Sequence, residues 1–143
     1  MIQTHRDFTW EGVDVHPYKE DGGTHFKSIT RQTLFKGAES LPAEFRYFEI
    51  QPGGHSTLER HDHLHVVMVI RGKGKVLVGD QISEIGLHDT VHIQSQTWHQ
   101  FQATDDDHLG FLCLVATDRD RPYRPQPHDL EAMADHVRSF VRV

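Results

Sequence analysis

Gly53-Gly54-His55-Ser56-Thr57-Leu58-Glu59-Arg60-His61-Asp62-His63-Leu64-His65-Val66-Val67-Met68-Val69-Ile70-Arg71-Gly72 is the stretch that decides how the rest of the chain is read. Glycine opens and closes it, its second half is an apolar, β-branched run, and Glu59, His61, His63 and His65 alternate along its middle. On a strand, residues of one parity face one side, so four side chains of metal-ligating type would share a face. A straight strand places Cα atoms four residues apart at about 13 Å. That is too far for His61 and His65 to share an ion through bonds of about 2 Å. The chain is therefore expected to reverse at Asp62-His63-Leu64, so that Glu59, His61 and His65 converge and His63 sits on the turn beside them. An alternative pairs His61 with His63 and leaves Glu59 outside, drawing on the frequency of His-x-His as a ligand pair.

On both sides of this stretch, short β-rich segments alternate with Gly, Pro and Asp punctuation at the spacing of an all-β sandwich or barrel. Strands are expected near 24–34, 45–51, 56–60, 65–71, 75–78, 81–85, 90–94, 98–103 and 110–115. Pro52-Gly53-Gly54 is expected to separate two of them, and Gly72-Lys73-Gly74 and Gly79-Asp80 to form tight hairpins, because glycine accepts positive φ at little steric cost. The polar, Pro-rich segment from Asp118 to Pro127 cannot continue a central strand. Behind it, Leu130, Met133, Ala134, Val137 and Val141 recur at helical spacing, which predicts one amphipathic helix capped at His128 or Asp129. The expected organisation is one domain over 1–143, with a barrel core at about 24–116 and a connector and helix over 117–143.

The chain has 143 residues, 15 Lys+Arg and 21 Asp+Glu, a formal net charge of −6 with His neutral, and 36% hydrophobic residues. This length suits one domain with its own core. The apolar runs at 66–70 and 111–116 fall far short of the ~18 residues of a membrane span. A net acidic chain without a basic block beyond Arg71, Lys73 and Lys75 argues against nucleic acid as a partner. Met1 to Asp7 lacks the apolar core of a secretory signal, and the single cysteine, Cys113, excludes an internal disulfide framework. A cytoplasmic location is expected. Histidine is the outlier: there are 13, and four of them (His55, His61, His63, His65) fall within eleven positions.

The spacing Gly53-x5-Glu59-x-His61-x3-His65-x6-Gly72 resembles the first motif of the cupins with its ligand types permuted. Glu59 stands where the first His is usual, His61 matches the second, and His65 replaces the Glu. In the second motif, His88 to His99 aligns so that His99 takes the place of the fourth ligand, although His88, Gln94, Gln96 and Ala103 depart from the usual residues. The resemblance covers roughly 45–115. It implies an all-β double-stranded β-helix, the cupin jelly-roll barrel, with one divalent transition metal at Glu59, His61, His65 and His99 and a small-molecule substrate. With His99 supplied by the resemblance, the alternative set is His61, His63 and His99 with Glu59 outside. Three imidazoles and a carboxylate suit manganese, iron, nickel or zinc, with manganese the first expectation. A homodimer is a further expectation from the family. The stretches 45–50, 56–61 and 109–114 are similar to the cupin methylsulfurylases acting on methylthioxylulose 5-phosphate. That similarity implies sulfur chemistry at Cys113, glutathione as acceptor of the methylthio group, and His63 as a proton carrier. An iron-dependent cupin dioxygenase and a non-catalytic cupin binding a sugar or effector are the alternatives.

Other residues are open to two readings. Cys113 alternates with Phe111 and Val115 on one face, either as a small buried hydrophobe or as a thiol approaching the metal pocket. Arg31 and Arg46 lie in β-rich stretches, either on a solvated face or pointing inward to hold a carboxylate or phosphate. Tyr47, Trp98 and Phe101 read as core or pocket wall, and His55, His88 and His92 as neighbours of the site or surface residues. His5, His16, His25, His108, His128 and His136 read as surface or hydrogen-bonded histidines.

Overall fold

The alternation along the chain becomes a curled antiparallel sheet in the computed structural model, which describes residues 1–19 and 22–143. The strands are β1 (His5–Arg6), β2 (Thr9–Trp10), β3 (His16–Pro17), β4 (Lys27–Phe35), β5 (Ala43–His55), β6 (His65–Gly72), β7 (Gly74–Val78), β8 (Gln81–Ile85), β9 (Thr90–Ile93), β10 (His99–Ala103) and β11 (Leu109–Ala116). Their order is β8-β7-β10-β5-β11-β6-β9, with β4 also on β5 and β3 on β4, and β1 pairs with β2 alone. This is the expected all-β jelly-roll barrel. In β11, Phe111, Cys113 and Val115 are buried while Leu114 is exposed, the period-2 signature of a sheet with one wet face. Ile50, Val67, Val69 and Leu109 are fully buried at the centre of the inward face.

Three local expectations need correction. Pro52-Gly53-Gly54 does not end a strand: β5 runs through it to His55. Gly53 takes φ 76° there, and β5 keeps β4 on one side, at Arg31↔Phe48 and again at Lys27↔His55, while on the other it exchanges β11, paired as far as Ile50, for β10 at Gln102↔His55. The bend thus moves one strand between two walls of the barrel, and only Glu59 and Arg60 of the expected strand 56–60 form bridges, to His99 and Tyr123. Gly72-Lys73-Gly74 is not a hairpin either, because β6 pairs with β11 and β9 whereas β7 pairs with β10 and β8. It is a corner between walls, where a Cβ on Gly72 would lie 1.8 Å from the His108 carbonyl oxygen. Gly79-Asp80 does close the β7–β8 hairpin, at Val78↔Gln81.

The predicted helix is two helices, α1 (Pro127–Ala132) and α2 (Asp135–Phe140). Met133 and Ala134 between them are extended, with ψ of 148° and 152°. The break lets both short helices follow the curved barrel wall: Leu130, Met133, Val137 and Val141 all pack with Leu58, Leu77 and Trp98. Ala134 is left exposed as the cap of α2. The first cap is Gln126 rather than His128 or Asp129, since the Gln126 amide donates to Asp129 Oδ2 at 2.8 Å. Strands β1 to β3 precede the expected barrel core. Two-residue strands carry no periodicity by which a sequence could announce them. Among the described residues, no helix is long and apolar enough to cross a membrane.

His55, at the end of β5, is 6% exposed and its Nδ1–H donates to the Ser56 carbonyl at 2.9 Å. Burial lowers its pKa from the ordinary 6.5. The unfolded chain therefore binds this proton more readily, and stability falls as pH drops from about 6.5 toward the folded value, with a slope of at most about 1.4 kcal/mol per pH unit. Urea unfolding at pH 5, 6 and 7 should show that His55→Gln has a shallower acid slope than wild type. Equal slopes would mean that His55 is not held neutral.

Candidate metal centre

The barrel mouth gathers the histidines because three separate backbone features end there. Glu59 and His99 exchange hydrogen bonds (Glu59 N–H to His99 O, 3.3 Å; His99 N–H to Glu59 O, 3.0 Å), fixing the chain after β5 against the start of β10. The chain then bends at Asp62 and His63, the expected reversal, and enters β6 at His65. The Asp120 carboxylate pins that bend, accepting from the Asp62 and His63 amides at 2.8 and 2.9 Å and from His63 Nδ1 at 2.8 Å. These bonds, the Asp62 amide foremost, hold the Asp120 carboxyl well below the usual carboxylate range.

His61, His65 and His99 come together: one nitrogen from each lies within 4.8 Å of the others, and their ring centroids are 4.8 to 5.1 Å apart. His61 Nδ1 faces the His63 carbonyl at 2.8 Å and His99 Nδ1 faces the Thr97 carbonyl at 2.9 Å. A carbonyl only accepts, so both rings carry hydrogen on Nδ1 and present a bare Nε2. His65 completes the pattern. Its Nδ1 lies 3.3 Å from Cys113 Sγ, and its Nε2 is buried without a partner. A buried polar atom without a partner requires an explanation, and a divalent ion facing three imidazole nitrogens supplies one. Burial lowers all three pKa values, to about 4 for His99 and about 2 for His65, so the rings are neutral as metal ligation requires.

The other expected ligands and catalytic groups lie around this trio. Glu59, 8% exposed, lines the same cavity, but its Oε2 accepts from Lys19 Nζ at 2.9 Å and it is not within the group of three. His63 stacks on His61 at 3.7 Å with its Nδ1 on Asp120. Cys113, 1% exposed, lies between His65 and Arg46, whose Nη2 is 3.4 Å from the sulfur. Burial pushes the Cys113 thiol up and the Arg46 charge opposes it. His88 and His92 are exposed, away from the cavity, and Tyr47 is in the core with its hydroxyl on Glu49. Trp98 belongs to the helix cluster, while Phe101 lines the cavity stacked on Phe111.

The cavity measures ≈ 650 Å³, a size that suits a small metabolite. Several of its walls carry no signal in the sequence. Tyr18 and Lys19 come from the N-terminal segment, and His25 is buried with Nδ1 on Thr57 Oγ1 at 2.8 Å. The segment expected to be a plain connector carries Arg119, Arg121 and Arg124 to the rim. The bridge Arg60↔Tyr123 fastens it, with Arg60 between the Trp98 and Tyr123 rings at 4.8 and 5.0 Å.

Fold and site together define a cupin whose three clustered imidazoles could hold a divalent metal, and the chain belongs to the cupin family: a cupin domain model matches residues 46–115. The chain is 48% identical over 136 residues to the 1-methylthio-D-xylulose 5-phosphate methylsulfurylase of Rhodospirillum rubrum, covering 94% of this chain and 86% of that protein. Among solved structures it is similar to a cupin 2 conserved barrel domain protein from Rhodopseudomonas palustris (TM-score 0.88, 46% identity, 94% of this chain and 93% of that one). It is also similar to a cupin-2 domain protein from Rhodospirillum rubrum (TM-score 0.87, 44% identity, 98% and 95%).

Proposed function

We propose that the protein is a thiol-dependent methylsulfurylase that converts 1-methylthio-xylulose 5-phosphate to 1-deoxy-xylulose 5-phosphate, with glutathione as the final methylthio acceptor. The observation that carries this reading is the Cys113 sulfur, placed inside the cavity between His65 and Arg46. The named activity of the 48% identical relative supports it. His61, His65 and His99 would hold a divalent ion, manganese in this reading, with Glu59 as fourth donor. Such an ion supplies Lewis acidity toward the carbonyl and hydroxyl oxygens of a keto sugar.

The chain's own groups account for the remaining steps. The Cys113 thiolate, which burial disfavours and the Arg46 charge beside it partly restores, attacks the methylthio sulfur. A sulfur–sulfur bond forms, the bond from C1 to sulfur breaks, and the released electron pair moves from C1 into the neighbouring carbonyl. His63, oriented by Asp120, delivers the proton that completes the C1 methyl group. A glutathione thiolate then attacks the mixed disulfide on Cys113, leaving as methylthio-glutathione disulfide and restoring the cysteine. Purified metal-loaded protein given the sugar phosphate and glutathione should form the deoxy sugar phosphate and the mixed disulfide in equal amounts. Oxygen consumption in place of these products would put the iron-dependent dioxygenase first. A homodimer belongs to the same reading, supported by the exposed Val66, Met68 and Leu114 on neighbouring strands.

Glu59 must exchange Lys19 for the ion to serve as a ligand. Metal titration of the apo protein should show Glu59→Gln weakening affinity by about 10- to 100-fold, while Lys19→Met does not weaken it. Unchanged affinity in Glu59→Gln would leave the three histidines as the whole protein ligand set.

A further inference from the structure

The arginines outside the cavity wall either have partners or are exposed. Arg71 pairs with Glu49, Arg119 with Glu44 and Arg138 with Asp135, and Arg60 lies between two aromatic rings. Arg121 and Arg124 at the rim are exposed, where water serves them. Arg31 is different. Its Nε, like that of Arg60, is buried without a hydrogen-bond partner, but Arg31 lines the cavity and its guanidinium has no hydrogen bond, ion pair or aromatic ring against it among the described residues. Arg46 also has a buried Nε without a partner, although its other end reaches Cys113 and lies over the Phe48 ring at 4.9 Å.

The strand register puts these two charges side by side. Arg31 on β4 is opposite Phe48 on β5, and Thr33 is opposite Arg46, so Arg31 and Arg46 are diagonal neighbours on the inward face. Arg46 is opposite Cys113 on β11, and β11 is bordered on its other side by β6, which carries His65. Arg31, Arg46, Cys113 and His65 therefore come from four successive strands, β4, β5, β11 and β6. Two neighbouring guanidinium groups with buried, unmet donors repel each other and weaken the fold. An anion with several oxygens removes both penalties at once, and a phosphate matches the forked donors.

We propose that Arg31, with Arg46 beside it, is the seat for the phosphate group of a phosphorylated substrate. The assignment rests on the reading of this cavity as the substrate site. It deepens that reading by giving the substrate a direction: the oxygen-bearing end lies at the imidazoles, and the phosphate end lies toward β4, across Arg46. Arg31 lies outside the segment matched by the cupin domain model, so the generic motif does not account for it.

The test uses metal-loaded protein titrated with inorganic phosphate and followed by calorimetry. Wild type should bind phosphate, and Arg31→Met should bind it about 10- to 100-fold more weakly. Arg31→Lys, which keeps charge but not the fork, should fall between them, and Arg121→Met should match wild type. Metal content should be unchanged in all four. Without ligand, Arg31→Met should melt no lower than wild type, since it removes an unpaired buried donor; a structural arginine would give the opposite. Toward the methylthio sugar phosphate, Arg31→Met should raise KM far more than it lowers kcat, while turnover of the unphosphorylated sugar stays at the wild-type level. Phosphate binding that is absent in wild type, preserved in Arg31→Met or lost instead in Arg121→Met would overturn the assignment. If phosphate binding depends on Arg31 but the methylthio sugar phosphate is not turned over, the seat stands and the methylsulfurylase reading fails. If the methylthio sugar phosphate is turned over but phosphate binding is indifferent to Arg31, the methylsulfurylase reading stands and the seat fails.

Discussion

Cys113→Ser is expected to lower turnover of the methylthio sugar phosphate by more than about a thousandfold, with metal content unchanged. The size follows from the role: a serine hydroxyl is far less acidic than a thiol and does not capture sulfur to form a disulfide. The specificity follows from the position. Cys113 touches His65 through Nδ1, the nitrogen directed away from the proposed ion, so the exchange leaves all three Nε2 atoms in place. An oxygen there can still accept from His65 and Arg46, so the wall of β11 should not collapse. Wild type given substrate but no glutathione should accumulate protein heavier by one methylthio group, which mass spectrometry detects, and Cys113→Ser should not. Unchanged turnover would remove Cys113 from the chemistry. Loss of metal together with activity would make it a support for His65 instead.

Much of the fold and site is legible in the sequence because it depends on local rules. The alternation of Phe111, Cys113 and Val115 indicates the inward face of β11. The impossibility of bridging His61 and His65 along a straight strand demands the bend that the structure has at Asp62 and His63. What is not legible depends on distant partners. Nothing between Asp118 and Pro122 signals that Asp120 will fasten that bend from 58 residues away. Glycine indicates freedom to turn but not which strands pair afterwards. Gly72 and Gly74 thus predict a hairpin, although they carry the chain between walls. The helix breaks at Met133 for the same kind of reason: helical spacing records which residues face the barrel, not that the barrel surface curves beneath them.

Whether the ion sits where the three rings point is decided by comparing His65→Ala with His63→Ala. The two residues are two positions apart in the chain and both line the cavity, yet the structure gives their nitrogens different surroundings. His63 has Nδ1 on Asp120 and its ring flat against His61, whereas His65 keeps a buried Nε2 with no partner. His65→Ala should therefore lose metal affinity by more than the 10- to 100-fold typical of an outer-shell change, and turnover with it. His63→Ala should keep its metal and lose only the proton-transfer contribution, about 10²- to 10⁴-fold in rate. Thermal melting supplies a readout independent of activity, because an ion bound only by the folded state adds about 2.7 kcal/mol at a hundred times its Kd. Chelator should lower the melting temperature of wild type and of His63→Ala, and leave that of His65→Ala unmoved. The reverse pattern, with His63→Ala indifferent to chelator and His65→Ala sensitive to it, would transfer the ion to the His61, His63 and His99 set.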